Sequence, residues 1–301
     1  MDHPSSRAPA PSVPAARPAP AARAAPGRGS LVVSLLLAAG SGALGVGSLG
    51  CGAVKARPPV RPAAESTVTA RFTPPFALAN PEDAVVRIVL PNMTCTGTAV
   101  EEDLILTAHH CVVRRGPQGE FLRESVEPES IRVELGGDYF AWGEVKVKAV
   151  VAPPCGEKGG AGDVAVLVLE RKLVGLGTLS PRLDSPPKIG ESVDPVGFGR
   201  CATSGDAIRR RTRDGGPIRA TNGDTFFMDA SVCPGDSGGP VMTRGGHQVV
   251  GVVSLSAMDG DESTKAPSIM ARVDAFRNVF AYAHQLAAGA TKSELPPLSC
   301  E

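Results

Sequence analysis

From residue 84 to residue 273 the chain repeats one pattern. Short runs rich in Val, Ile and Leu are broken every few residues by Gly, Pro or Asp. The runs cover residues 84–90, 97–100, 104–108, 131–135, 144–151, 164–169, 193–198, 225–228, 240–243, 248–255 and 268–273. Many short strands with regular turns describe an all-β sandwich or barrel. One helix is expected after them. Beyond Asp274, the residues Phe276, Val279, Phe280, Ala283 and Leu286 recur at steps of three and four, which marks one helical face. Asp274 suits its N-cap and Gly289 its stop.

The first part of the chain reads differently. Residues 1–30 are mostly Ala, Pro, Arg and Ser, with too little apolar surface to offset chain entropy, so a disordered leader is expected there. Residues 31–51 form an uncharged stretch that follows several arginines and ends in small residues and Cys51, the pattern of an export segment. Three outcomes stay open at its end: a lipid on Cys51, as in a bacterial lipoprotein, ordinary cleavage, or an uncleaved anchor. Residues 52–75 read as a linker, 76–290 as the folded domain and 291–301 as a tail. The domain is long enough to bury a sizeable core. The expected location is therefore outside the cytoplasm: secreted, periplasmic, or attached to the envelope through Cys51.

Charge excludes little but does exclude something. Lys and Arg number 31 and Asp and Glu 31, so no global basic excess would draw nucleic acid. The one basic run, Arg209, Arg210, Arg211 and Arg213, sits among Gly, Asp, Thr and Ser and reads as a solvated loop, or else a protease-sensitive one. Apart from Cys51, six cysteines remain: Cys95, Cys111, Cys155, Cys201, Cys233 and Cys300. An even count in an exported domain implies disulfides. No C-x-x-C pair or H-E-x-x-H helix suggests a metal, and nothing calls for a cofactor. Asn92-Met93-Thr94 fits a glycosylation pattern by chance, given the lipoprotein-like leader.

Three separate motifs carry chemistry. They are LTAHHCV at 106–112, GDVAVLVLE at 162–170 and CPGDSGGP at 233–240. A serine hydroxyl is a poor nucleophile at neutral pH and needs a base to take its proton. Histidine is the natural base, and an Asp can fix its tautomer and stabilise the imidazolium. Ser237 lies among glycines, whose backbone freedom lets the Gly235 and Ser237 N–H groups converge on one point, where an oxyanion would sit. Asp163 could instead be an ordinary turn residue at the start of a strand.

In this order the three motifs resemble the His, Asp and Ser motifs of the chymotrypsin/trypsin family. The resemblance runs from about residue 84 to residue 286. It implies two packed antiparallel six-stranded β-barrels with a C-terminal α-helix, and a triad of His110, Asp163 and Ser237. The family pattern Ala-Ala-His-Cys aligns His110, beside Cys111, with the base. His109 replaces a small residue, and on a strand the two neighbours would face opposite sides. His3, His247 and His284 carry no motif.

The same resemblance implies further roles. Cys95 pairs with Cys111 and holds the histidine loop. Cys233 normally pairs downstream, but only Cys300 follows it, beyond the helix. Cys201 follows Gly197-Phe198-Gly199, which resembles the family's Gly-Trp-Gly, so Cys201–Cys233 is favoured, leaving Cys155–Cys300. Ser231, six before the nucleophile, would floor the pocket for the side chain preceding the cut bond, and Asp229 should not be mistaken for it. Ser254, Leu255, Ser256 and Ser268 would wall that pocket, with serines where glycines often stand, favouring small or medium uncharged residues. Asp236 normally pairs with a new N-terminal amine after an Ile-Val-Gly-Gly-like start. No such start occurs, so another group must hold it.

The expectation is a serine endopeptidase acting on protein or peptide substrates through an acyl-enzyme. A catalytically silent binding module and an esterase on the same scaffold are the alternatives. An α/β-hydrolase would need a G-x-S-x-G elbow with the Ser before the Asp and His, and here Ser237 comes last.

Overall fold

The computed structural model describes residues 81–136, 141–201, 208–246, 248–258 and 260–299. The expected leader, export segment with Cys51 and linker, and Cys300, lie outside the described residues. Among the described residues, no helix is long and apolar enough to cross a membrane.

The first half of the domain holds β1 (Val85–Leu90), β2 (Met93–Glu101), β3 (Leu104–Thr107), β4 (Val113–Arg115), β5 (Phe121–Ser125), β6 (Arg132–Gly136), β7 (Ala141–Val151) and β8 (Ala165–Leu169). Six of them close into a barrel in the order β1-β2-β3-β8-β7-β6. Closure leaves no unpaired edge to template association. Alternation sets the inner face. In β7, Val145, Val147 and Ala149 are buried, while Glu144, Lys146 and Lys148 between them are not. β8 breaks that rule, because all five of its residues are buried. One face meets the barrel interior, and α1 (Arg277–Ala287) packs on β8 from outside. The helix contributes Val279, Phe280, Ala283 and Leu286 to that core. Each large one is worth about 1.5–3 kcal/mol when fully buried.

The second half holds β9 (Ser180–Pro181), β10 (Ser192–Gly197), β11 (Arg211–Thr212), β12 (Gly216–Pro217), β13 (Ala220–Asn222), β14 (Thr225–Ala230), β15 (Pro240–Thr243), β16 (Gln248–Ser256) and β17 (Ala266–Arg272). Their order is β11-β10-β15-β16-β17-β14-β13, with β12 beside β10 and β9 parallel to β16. The expected pair of barrels holds in outline, with a difference: among the described residues, no continuous ladder closes the second. Its outer strands are only two or three residues long, and Pro217 has no N–H to donate. The gap is bridged by β12 and by the Arg219 N–H, which donates to Phe227 O at 2.8 Å. Phe226, Met228, Ile218, Val193 and Met270 fill this second core.

Two local readings need correction. Asp274 does not cap α1: it opens a 3-10 turn, Asp274–Phe276, and its carboxylate pairs with Arg272. The basic run is not a solvated loop throughout. The Arg210 side chain is 5% exposed and pairs with Asp83, and the Arg213 side chain is 3% exposed. Their distant carboxylate partners, invisible in a local window, draw these guanidiniums inward.

Candidate active site

β3 ends at Thr107 and the chain tightens into a 3-10 turn, His109–Cys111. The two histidines therefore sit on a turn and not on a strand as expected. Only one of them reaches the cleft, for a different reason than strand alternation. His110 lines the cleft, whereas His109 is 1% exposed and its Nδ1 has no hydrogen-bond partner among the described residues. Burial lowers the His109 pKa, with Asp163 pulling upward and His110 downward.

Asp163, fully buried just before β8, grips His110 at two points. The His110 backbone N–H donates to Oδ1 at 2.8 Å, and Nδ1 lies 2.7 Å from Oδ2. The Ser254 hydroxyl also donates to Oδ2. Burial pushes the Asp163 carboxyl upward, but the charge and hydrogen bonds of His110 and the Ser254 hydroxyl outweigh it and hold the carboxyl below its ordinary value. The remaining faces of His110 are shaped by neighbours. Phe121 meets the ring edge-on at 5.6 Å, and Arg115 stacks on the other partner of that contact, 3.7 Å from the Phe121 centroid. The Cys95–Cys111 disulfide ties the turn to β2.

Ser237 stands on the turn from Cys233 to Gly239. Gly235 has φ +101° and Gly238 φ +82°, a region that favours glycine. A Cβ on Gly238 would also lie 2.2 Å from Thr107 Oγ1. Thr96 stitches this turn to the barrel. Its N–H donates to Ser237 O (2.8 Å), its hydroxyl donates to Gly235 O (2.7 Å), and that hydroxyl accepts from Phe198 N–H (2.9 Å). Nothing in the motifs singled out Thr96. Its only signal is a hydroxyl at a fully buried strand position, which demands partners.

Behind Ser237, Asp236 is fully buried. It accepts from Cys233 N–H (2.8 Å), Gly199 N–H (2.7 Å) and Arg213 Nη2 (3.2 Å). Arg213 Nε lies 2.7 Å from Oδ2 but is too bent for a hydrogen bond, so that contact is an ion pair only. Burial pushes the Asp236 carboxyl upward, against the pull of Arg213 and the two amides. Cys201 and Cys233 are paired. Cys155 is also disulfide-bonded, and its expected partner, Cys300, lies outside the described residues.

His110, Gly235 and Ser237 line one cleft of about 550 Å³, together with Ser254, Leu255 and Ser256. A second cavity of about 590 Å³ adjoins it at Leu255 and Ser256 and reaches Ser268. The Ser256 and Ser268 hydroxyls are hydrogen-bonded to each other at 2.8 Å. Ser231 lines neither cavity. It is 3% exposed and its hydroxyl accepts from Asp214 N–H. The Ser254 hydroxyl is turned to Asp163 and not into the pocket. Asp229 lines the second cavity but is paired with Arg219.

The sequence matches the family described as Trypsin over residues 78–280. Chymotrypsin-like elastase family member 3B of Macaca mulatta is 28% identical over 217 residues, covering 61% of this chain and 79% of that protein. Its Homo sapiens counterpart is 28% identical over 215 residues, covering 61% and 75%. Among solved structures, a Glu endopeptidase in complex with MPD superposes with a TM-score of 0.53 at 20% identity, covering 70% of this chain and 94% of that one. A scabies mite inactivated protease paralogue, S-I1, gives 0.51 at 18%, covering 69% and 97%. At those identities the two structures share the fold.

Proposed function

The chain belongs to the trypsin family, and from that premise we propose that it is a serine endopeptidase with Ser237 as nucleophile. His110 Nε2 takes the Ser237 proton as Oγ attacks the scissile carbonyl. It then passes that proton to the leaving amine as the acyl-enzyme forms. Water, activated by the same nitrogen, releases the acyl group and restores Ser237. Asp163 holds the Nδ1–H tautomer and stabilises the imidazolium. The Gly235 and Ser237 N–H groups receive the oxyanion, and one such donor is worth about 3 kcal/mol of barrier.

The observation that carries this reading is the two-point contact of Asp163 on His110, beside a cleft that His110 and Ser237 line together. For the residue before the cut bond, small or medium uncharged side chains fit best. Support comes from the Ser256–Ser268 hydrogen bond across the pocket wall and from the neutralisation of Asp229 by Arg219. The disulfides favour an oxidising location outside the cytoplasm; attachment through a lipid on Cys51 belongs to the same proposal.

The test is hydrolysis of a denatured protein and of a peptide library by the wild type, Ser237→Ala and His110→Ala. The wild type should cut both and the variants neither. A folded wild type that cuts neither peptides nor esters would make the chain a binding module. Activity lost in His109→Ala and kept in His110→Ala would move the base to His109.

A further inference from the structure

The Cys233–Ser237 turn must hold two amides, Gly235 and Ser237, in one orientation, and its shape depends on what anchors Asp236. That anchor is internal to the domain. The Asp236 carboxylate has no exposed surface, and every direction around it is occupied. On one side, Cys233 N–H closes the turn onto Oδ2. On a second, Gly199 N–H reaches Oδ1, and the walls at Gly197 and Gly199 are so close that a Cβ on either would lie 2.3–2.5 Å from a carboxylate atom. On the third stands the Arg213 guanidinium, 3% exposed, which also donates to Gly199 O.

Arg213 is itself fixed. Its N–H donates to Pro195 O at 2.7 Å, and it follows directly on β11, which pairs with β10. Three residues earlier, Arg210 is tied to Asp83 and to the Glu82 carbonyl. Glu262 faces Arg213 from the outside, 4.0 Å from Nη1. The arm that carries Arg213 is therefore pinned by backbone pairing and by an ion pair at its other end. A buried carboxylate needs a counter-charge and hydrogen bonds to stay ionised, and the planar Arg213 guanidinium supplies the charge beside Oδ2 and, through Nη2, a hydrogen bond to Oδ1.

We propose that Arg213 is the positioning residue of the oxyanion turn: through Asp236 it holds the Gly235 and Ser237 amides in register, so the site needs no newly cut amino terminus to become competent. This rests on the peptidase reading above. It goes beyond that reading by assigning the switch that would otherwise lie in a cleavage event. The active form is then the form in which the domain folds.

Two measurements test it. In the first, full-length protein of verified intact mass is titrated with an active-site acylating ester. The expected result is a burst of one equivalent from the uncut chain. A burst that appears only after cleavage ahead of Val85 would overturn the proposal. The second compares Arg213→Gln and Arg213→Lys. Arg213→Gln should lower kcat about 100-fold, the size expected for a misplaced oxyanion donor, with KM changed less than about threefold. Arg213→Lys, which keeps the charge without the fork, should recover part of the loss. Equal falls in both variants, or a loss confined to KM, would overturn it.

Amide hydrogen exchange in a Ser237→Ala background separates this inference from the peptidase reading, because it needs no activity. Arg213→Gln should speed exchange at Cys233 and Gly199 while the β1–β3 amides stay protected. Unchanged exchange at those two amides would defeat the positioning role even if the protein is a peptidase. Selective loss there would uphold it even if the protein is not.

Discussion

Ser254 donates its hydroxyl hydrogen to the same Asp163 oxygen, Oδ2, that faces His110 Nδ1. The serine sits on β16 and the aspartate just ahead of β8, so the contact links the two halves of the domain at the base of the cleft. A hydrogen bond to a charged group is worth about 1.5–3 kcal/mol. Ser254→Ala should therefore lower kcat roughly 10- to 100-fold with KM nearly unchanged, because the Ser254 hydroxyl does not face the pocket. Steady-state kinetics on one peptide checks this, and an unchanged kcat would remove Ser254 from the account.

His109 makes stability depend on pH. Burial lowers its pKa in the fold, whereas the unfolded chain takes up the proton near 6.5. Below that value the unfolded state binds more protons than the folded one, so stability falls as pH falls. The slope should reach at most about 1.4 kcal/mol per pH unit for this group. Urea unfolding at pH 7.5 and 5.5 should show a smaller difference between the two pH values in His109→Gln than in the wild type. An identical difference would show that folding leaves the His109 titration unshifted.

On the proposed specificity, pocket width rests on the Ser256 and Ser268 hydroxyls. Replacing both, in Ser256→Gly with Ser268→Gly, removes the hydrogen-bonded pair and opens the wall between the two cavities. Overpacking of a large ring costs about 1–3 kcal/mol. The double variant should therefore gain about 5- to 100-fold in kcat/KM for Phe relative to Ala before the cut bond. A library carrying Ala, Val, Leu, Phe, Glu and Arg at that position reads this out. Cleavage dominated by Glu or Arg in the wild type would contradict the uncharged preference.

The Cys95–Cys111 bridge spans 16 residues and pins the His110 turn to β2. Chain entropy assigns a loop of that size about 3 kcal/mol. In a domain of this length that corresponds to a fall in Tm of about 6–12 °C for the double alanine variant. Calorimetry under non-reducing conditions measures it, and a shift below about 2 °C would mean that the bridge adds little to the fold.

Much of this was legible in the chain. Every run of β-branched and aliphatic residues from 84 to 273 became a strand or part of one, because apolar runs and turn residues are local signals. The closeness of the His110, Asp163 and Ser237 motifs was implied by their resemblance to the family's three motifs in the same order. Long-range partners were not. Arg213 looked like one member of a solvated basic run, since nothing near it in sequence shows that Asp236, 23 positions on, lies buried beside it. Thr96 looked like a strand residue. Counting back from Ser237 places Ser231 at the pocket floor, and resemblance to the family's Ser-Trp-Gly places Ser254 in its wall; Ser254 does line the cleft, but the two hydroxyls are engaged by Asp214 N–H and by Asp163. Side-chain direction is settled by such partners, and these lie 17 and 91 positions away.

The most direct test of the central claim is covalent. A fluorophosphonate reacts only with a serine that a neighbouring base has activated. Intact mass after labelling, followed by peptide mapping, should show one adduct per chain on Ser237, abolished hydrolysis, and no adduct in Ser237→Ala. An unlabelled wild-type protein, or an adduct on another residue with hydrolysis intact, would contradict the assignment of Ser237 as the nucleophile.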